Sequence, residues 1–468
     1  MADWIARLSA AEGELSTIDV ELARGLDRMA ARVDGGAKAA CENADVLLAA
    51  ALASRPTRQG HVCLDLDRLP PPPVEGVRWP SRLAWEAALR ASALVGDASG
   101  SSSPLVLDGS RLYLRRYFRY ETRLASELAA RVAHLEKALD GKVLRASLDR
   151  LFPRTGLPSG EIDRQRLAAL VAAVRRFCII SGGPGTGKTT TVVKILALLA
   201  EQGLLAGKKK LHAVLLAPTG KAAARLHEAI VGARAKLPID DRIRALVPDE
   251  TSTIHRALKP IAGTIDRFRH DEENPLPADV LLVDEASMVD LALMTKLVTA
   301  LPSNTRLILL GDRNQLASVE AGAILGDLCG PPRPLGFSRS FARHVASLTG
   351  DELPVDDALA DASIADCVVQ LRRNYRYPES SGIGRLAQAI NDGDVESAAA
   401  VLSSASSSPE QDVVRHPGSP DGALGAELRD CVIGGYSPYL RASSAPEAFD
   451  AFGRFRVLCA HRRGPHGV

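Results

Sequence analysis

The sequence predicts an α/β fold built around a parallel sheet, and three observations carry that prediction. Four short aliphatic runs, Phe177 to Ile180, Ala213 to Leu216, Val280 to Val283 and Leu307 to Leu310, each empty at once into a polar turn. The runs are apolar throughout rather than alternating, as expected of strands buried on both faces. Helical segments lie between them, and alternating strand and helix makes a parallel sheet with right-handed crossovers. All four polar turns then gather along one edge, where open sheets of this kind hold ligands.

The elements fall into three blocks along 468 residues, a length that suits roughly three domains. Residues 1–155 form a mainly helical block containing Pro70 to Pro73 and a Gly100 to Ser103 loop. Toward its end, Leu105 to Leu107, the Asp108-Gly109 turn and Arg111 to Leu114 have the composition of a tight hairpin, followed by a helix to about Leu139. Residues 156–330 hold the four runs, with a helix from Lys188 to about Glu201 that closes on Gly203 as a C-cap. The block 331–468 opens with a Pro-rich linker and contains the loop-like SSASSSPEQ. There Phe455 to Ala460 reads as the first strand of a second sheet that the chain, stopping at Val468, leaves unfinished.

Composition narrows the function classes. Lys plus Arg number 58 against 56 for Asp plus Glu, so the net charge of +2 gives no general attraction to nucleic acid and any such site must be local. The seven cysteines form no C-x-x-C pair, which argues against a zinc site or a disulfide framework and suits a reducing compartment. The N-terminus carries charge where a signal peptide needs an apolar core, and no run of 18 apolar residues occurs. A soluble cytoplasmic protein without a membrane partner is expected.

The four turns carry the chemistry. The first, Gly182-Gly183-Pro184-Gly185-Thr186-Gly187-Lys188-Thr189 followed by Thr190, matches G-x-x-x-x-G-K-[ST] between a strand and a helix. Glycines let backbone N–H groups and the helix dipole face phosphates, Lys188 would neutralise β and γ oxygens, and Thr189 would hold Mg²⁺. The third run delivers Asp284 and Glu285: one acid to complete the Mg²⁺ shell, the next to take a proton from an attacking water. The fourth ends in Gly311-Asp312-Arg313-Asn314-Gln315, which places Gln315 to touch a terminal phosphate or orient that water, unless Asp312 and Gln315 merely cap a turn. The second turn, Thr219-Gly220-Lys221, offers a hydroxyl, a glycine N–H and an ammonium at a helix start. It suits a DNA phosphate or a simple loop cap.

Taken in order, GGPGTGKTTTV, LLAPTGKAAARL, STIHRAL, VDEASMVD, GDRNQLASVEAG and LRRNYRYPESSGIG resemble the superfamily 1 helicases, specifically the RecD family of alpha subunits of the RecBCD exodeoxyribonuclease V. The resemblance implies a P-loop RecA-like motor domain at 156–330, preceded by the mainly helical domain and followed by an incomplete second RecA-like domain. ATP and Mg²⁺ would lie in the cleft and single-stranded DNA across the top. It also implies adenine recognition by Gln165, a γ-phosphate arginine at Arg376, and DNA-side positions at Thr219, Gly220, Lys221, Thr253 and His255. A hairpin within 256–277 would be the pin that splits the duplex, or a surface hairpin without function. Residues 1–155 would dock on a partner, within a heterotrimer of RecB-like and RecC-like subunits that acts on duplex ends, with the nuclease centre in another subunit.

Three points are left as expectations. Arg111, Arg115, Arg116, Arg119 and Arg123 interleave with Tyr113, Tyr117, Phe118 and Tyr120, a composition suited to single strands, yet the tyrosine spacing follows one helix face and favours packing or partner contact. The family's T-x-H-K-S-Q-G-like and T-R-A-like segments do not occur, so a fragment or a truncated gene is expected. On that ground an assembly subunit switched by nucleotide, without motor activity, stands beside the ATP-dependent 5′-to-3′ helicase of double-strand break repair. A small-molecule kinase or GTPase would share the phosphate loop but leaves APTGK and GDRNQ unexplained.

Overall fold

The computed structural model describes residues 15–33, 44–69, 79–100, 102–136, 139–153, 161–207, 210–264, 266–316, 318, 320–331, 333–378, 380–404, 412–415 and 426–459. The Pro70 to Pro73 run, most of SSASSSPEQ and Ala460 lie outside these residues. The chain divides into two compact units, Met1–Arg373 and Asn374–Val468.

The first unit begins with a small sheet of β1 (Cys63–Asp65), β2 (Val95–Gly96), β3 (Leu105–Asp108) and β4 (Arg111–Leu114), ordered β1-β4-β3-β2. The expected hairpin forms: Asp108 pairs with Arg111 across a two-residue loop, and Gly109 takes the positive φ of 56° that such loops require. One face of this sheet packs on the helix Ala44–Ser54, whose residues from Val46 to Ser54 are all buried. A helix apolar all round belongs inside a core.

The central sheet has six parallel strands: β5 (Phe177–Gly182), β6 (Ala213–Ala217), β7 (Thr251–Thr253), β8 (Val280–Val283), β9 (Arg306–Gly311) and β10 (Val368–Leu371), in the order β10-β5-β9-β8-β6-β7. Register aligns their carboxyl ends, with Ser181 beside Gly311, Leu371 beside Gly182, Val283 beside Leu216 and Leu309, and Ala217 beside Thr253. Alternation decides which residues meet which layer. Cys178, Ile180, Leu282 and Ile308 face the helices Arg164–Val174 and Lys188–Leu205, while Phe177, Ile179, Leu281 and Leu307 face Arg115–Ala133 and Leu291–Thr299.

Both expected divisions, at 155 and 330, fall inside the first unit, and packing explains why. The helix Arg115–Ala133 leaves the N-terminal sheet and buries Tyr117, Leu124, Leu128 and Val132 against the central sheet and the helix Leu291–Thr299. Beyond 330, β10 joins the sheet beside β5, and a buried ion pair locks that segment in place. Arg175 Nη2 donates to Asp366 Oδ2 at 2.8 Å, with 1% and 0% of the two side chains exposed. The same carboxylate accepts from the Ser338 backbone N–H at 2.8 Å and the Ser338 hydroxyl at 2.6 Å, while Arg175 Nη1 donates to the Val132 carbonyl at 2.6 Å. Neither contact can be read from hydrophobic periodicity.

Three local expectations are corrected, the first being the helix expected to reach about Leu139, which ends at Ala133 where His134 turns extended. The helix after the phosphate loop runs through Gly203 to Leu205, because Leu204 packs against the core and outweighs the roughly 1 kcal/mol that an interior glycine costs. Phe455 to Cys459 forms no strand, and Leu458 is 89% exposed. Among the described residues the second unit contains helices only, so no neighbouring strand completes its hydrogen bonds. Its helices Gly382–Asp392, Val395–Ser404, Ala426–Leu440 and Ala445–Arg454 are held by local contacts, including Tyr436 and Tyr439 against Phe452. No described helix is long and apolar enough to cross a membrane.

Candidate nucleotide and nucleic-acid site

The loop after β5 owes its shape to its glycines. Gly185 and Gly187 have φ of 84° and 80°, and Gly187 occupies the N-cap position of the helix that begins at Lys188. A Cβ on Gly182 would lie 2.6 Å from Thr186 Oγ1 and 3.0 Å from Leu371 Cβ, so a side chain there would displace the loop or β10. Thr186 is buried and its hydroxyl donates to the Gly183 carbonyl at 2.8 Å, which braces the turn. Lys188 folds back so that Nζ donates to the carbonyls of Gly182, at 2.5 Å, and Gly183, at 3.2 Å. Those carbonyls hold the ammonium inside the loop, where phosphate oxygens could replace them. Thr189 is half-buried, whereas Pro184 and Thr190 are exposed.

Gln165 comes to the same loop from the helix Arg164–Val174, started by Asp163, whose carboxylate accepts from the Gln165 and Arg166 N–H groups. Its Nε2 donates to the Thr186 carbonyl at 3.2 Å. A residue distant in sequence from the glycines thus touches them.

At the end of β8 the backbone N–H of Asp284 continues the sheet to the Leu216 carbonyl at 2.8 Å, and Asp284 Oδ1 accepts from the Glu285 N–H at 2.9 Å. Burial pushes the Asp284 carboxyl above its usual range, and the neighbouring Glu285 charge adds to the rise. The Glu285 N–H and the Lys188 ammonium oppose it. A carboxylate so desolvated gains from a cation beside it. Glu285 itself sits in the left-handed region, φ 52° and ψ 41°, a conformation that costs a non-glycine residue about 1–3 kcal/mol and clusters at functional sites. No sequence pattern marks that strain.

The end of β9 is fastened to both neighbours. The Arg313 N–H donates to Ser181 Oγ at 3.2 Å, and the Ser287 hydroxyl donates to Gln315 Oε1 at 2.8 Å. Gly311 has no room for a side chain, since a Cβ would lie 2.4 Å from Leu325 Cδ2. Asp312 does cap the turn, accepting from the Asn314 N–H at 3.0 Å, and its carbonyl accepts from the Gln315 N–H at 3.1 Å. This turn leaves the Gln315 side chain exposed on the rim, so the capping and ligand readings are compatible. Sequence reasoning missed Ser181 and Ser287, the residues that hold this loop. Their only signal was a small hydroxyl beside a loaded turn.

Further along the rim, β6 and β7 present the remaining candidates side by side. Thr219 Oγ1 accepts from the Ala222 N–H at 3.2 Å and Thr253 Oγ1 from the Arg256 N–H at 3.2 Å, so both threonines cap helices. Each hydroxyl keeps its own proton to donate. Gly220, Lys221 and His255 are exposed. The His255 ring lies 5.9 Å from that of Phe268, in the segment expected to form a hairpin. That segment does turn back on itself: Pro260 bridges Phe268, the Ile261 N–H donates to the Arg267 carbonyl at 3.0 Å, and Gly263 takes a φ of 79°. Its base is tied to the rest of the unit by Lys296, whose Nζ lies 5.6 Å from the Phe268 ring, 5.8 Å from the Tyr120 ring and 3.6 Å from Asp266. Arg123 pairs with Glu272 at 2.7 Å. The Arg/Tyr cluster therefore resolves into packing: Tyr113, Tyr117 and Phe118 are buried, while Arg116, Arg119 and Arg123 border the groove beside the hairpin.

The first unit thus brings Gln165, the phosphate loop, Asp284, Glu285 and Gln315 to one rim, with Thr219 to Lys221 and Thr253 to His255 on the same rim. Arg376 belongs to the second unit, where it is exposed and its N–H donates to Asn374 Oδ1 at 2.8 Å.

Comparison with known proteins matches this architecture. Residues 11–113 match the family model for the N-terminal domain of the RecBCD enzyme subunit RecD, and residues 165–321 match an AAA domain model. The chain is 38% identical over 467 residues to the RecBCD enzyme subunit RecD of Mycolicibacterium smegmatis, covering 97% of this chain and 71% of that protein. With the same subunit of Mycobacterium tuberculosis it is 39% identical over 483 residues, covering 100% and 71%. The ATP-dependent RecD2 DNA helicase of Deinococcus radiodurans is 34% identical over 248 residues, 52% of this chain and 30% of that one. A continuous match of this extent, joined to a phosphate loop on a parallel sheet, establishes that the chain belongs to the RecD family of RecBCD enzyme subunits.

Proposed function

We propose that this chain is the ATP-hydrolysing helicase subunit of a RecBCD-type complex, moving 5′ to 3′ on single-stranded DNA from a duplex end beside RecB-like and RecC-like partners. The observation that carries the reading is the convergence of Lys188, Asp284 and Gln315 on one rim, each on a different strand end. The nucleotide's phosphates take the place of the Gly182 and Gly183 carbonyls around Lys188 Nζ, and Gln165 stands beside the loop to receive the adenine. Thr189 and Asp284 supply two oxygens for Mg²⁺, a cation that commonly binds through one or two protein oxygens together with substrate phosphates and water. Bound there, Mg²⁺ would neutralise negative charge on the phosphates.

Glu285 takes the proton of the attacking water, and Gln315, held by Ser287, orients that water against the γ-phosphate. Arg376 matches the family's γ-phosphate arginine, whose positive charge stabilises the negative charge that builds on the phosphoryl oxygens in the transition state. DNA lies on the part of the rim formed by β6 and β7, where Thr219, Gly220, Lys221, Thr253 and His255 contact its backbone. The hairpin within 256–277, next to His255, meets the duplex junction. Residues 1–155 dock on the partner, and of the block 331–468 the part from Asn374 onward belongs to the second motor domain.

The test is phosphate release from Mg-ATP with and without single-stranded DNA, in the assembled complex. Stimulation of tenfold or more is expected, and its absence would count against the motor reading.

A further inference from the structure

Beside the phosphate loop lies a small cavity that the mechanism above does not use. It measures about 40 Å³ and is bounded by β5, β10 and the segment after Cys329. By the size of a water this is room for about three waters, or for one tetrahedral oxyanion, and far too little for a nucleotide. Three guanidinium-bearing residues line it, Arg164, Arg313 and Arg333, together with Ser181, Gln370 and Cys329. No carboxylate is among the described lining residues.

The charges there are poorly compensated. Arg164 donates one N–H to the Gln370 carbonyl at 3.0 Å, leaving the rest of its fork available. Burial lowers its pKa and the like charge of Arg372 lowers it further, with only Glu161 acting in the other direction. Among the described residues, neither the Arg313 nor the Arg333 side chain makes an ion pair. The Ser181 hydroxyl accepts from the Arg313 N–H at 3.2 Å and is hydrogen-bonded to Cys329, which lines the same cavity. Arginines grouped round a void with no carboxylate in its described lining repel one another and are held together by the fold, and planar guanidinium forks match phosphate oxygens.

We propose that this cavity is a second oxyanion site, taking a single phosphate group separately from the nucleotide's phosphate loop. Gln165 turns to that loop through the Thr186 carbonyl, whereas the neighbouring Arg164 turns to β10 through Gln370, so the two sites part at adjacent residues. Two sources share the chemistry: inorganic phosphate released by hydrolysis, and a backbone phosphate of DNA.

The experiment fills the phosphate loop with Mg²⁺ and a non-hydrolysable ATP analogue, then titrates inorganic phosphate against chloride at matched ionic strength, reading the melting temperature. A parallel arm follows binding of a fluorescent oligothymidylate as salt is raised. Wild type is expected to show a saturable, phosphate-specific rise that Arg333→Gln weakens at least fivefold while analogue affinity stays within twofold and Arg333→Lys restores part of the effect. If the physiological ligand is DNA, Arg333→Gln also lowers the slope of log affinity against log salt by about 0.7, the share of one single-strand phosphate. If it is released phosphate, oligonucleotide binding is unchanged and phosphate loses its inhibition of turnover. Should neither arm respond to Arg333→Gln, the proposal is wrong. Failure of the analogue itself to bind would instead indict the phosphate-loop reading.

Discussion

The Ser287 hydroxyl donates to Gln315 Oε1 across 2.8 Å, joining the turn after β8 to the turn after β9. A hydrogen bond of this kind contributes about 1 kcal/mol, which is roughly fivefold in a rate. Ser287→Ala should therefore lower kcat for ATP by about fivefold with KM nearly unchanged, and Gln315→Ala should lower it further. Steady-state kinetics separate the two parameters. A rise in KM with kcat intact would mean that Gln315 binds nucleotide rather than positioning the attacking water.

The Asp284 carboxyl is held above its usual range by burial, so the folded chain retains that proton to higher pH than the unfolded chain does. The contribution of Asp284 to the stability of the nucleotide-free chain is then fully present below the ordinary aspartate pKa and is lost as pH rises through the raised folded value. Asp284→Asn removes the penalty. It should raise the melting temperature at pH 7 by about 1–3 °C, with the gain vanishing near pH 4. Mg-nucleotide should stabilise wild type more than the variant. A variant less stable than wild type at pH 7 without nucleotide would contradict this account.

Arg175 and Asp366 are both inaccessible to solvent, and removing one leaves the other charged in the core. Asp366→Asn should cost about 3–5 kcal/mol in denaturant unfolding, against about 1 kcal/mol for Ser338→Ala, which deletes a single hydroxyl. Hydrogen exchange should show β10 and the helix Arg339–Thr349 losing protection first. Equal costs for the two variants would mean that the ion pair does not lock this segment to the sheet.

Lys296 lies between the Tyr120 and Phe268 rings and so joins the hairpin to the helix Arg115–Ala133. Contacts of this type contribute about 1 kcal/mol. Lys296→Met should speed amide exchange across residues 259–270 and reduce strand separation per ATP hydrolysed, with DNA-stimulated hydrolysis held within twofold. Unchanged exchange in the hairpin would show that its position is set elsewhere.

Much of the site was legible because its chemistry is local in sequence. A glycine loop, an acid pair and a polar turn each directly follow an aliphatic run, and the period of those runs is enough to infer a parallel sheet and a shared rim. What stayed hidden depends on distant partners. Asp366 meets Arg175, β10 meets β5 and Tyr117 reaches the central core across long stretches of chain, so the expected boundaries at 155 and 330 fell within one unit. The strained backbone of Glu285 and the Ser287 contact to Gln315 are geometric facts with no compositional trace. Phe455 to Cys459 shows the converse: an aliphatic run is a strand only where another strand can pair with it.

The central claim is that one triphosphate is bound by three separate strand ends. A crystal structure with Mg²⁺ and a non-hydrolysable ATP analogue tests it most directly. In that structure Lys188 Nζ is expected to exchange its Gly182 and Gly183 carbonyls for β and γ oxygens, with the cation held by Thr189 and Asp284 and Gln315 within hydrogen-bonding reach of the γ-phosphate. A nucleotide seated elsewhere, or a γ-phosphate out of reach of Gln315 with Lys188 still bound to its own loop, would contradict it.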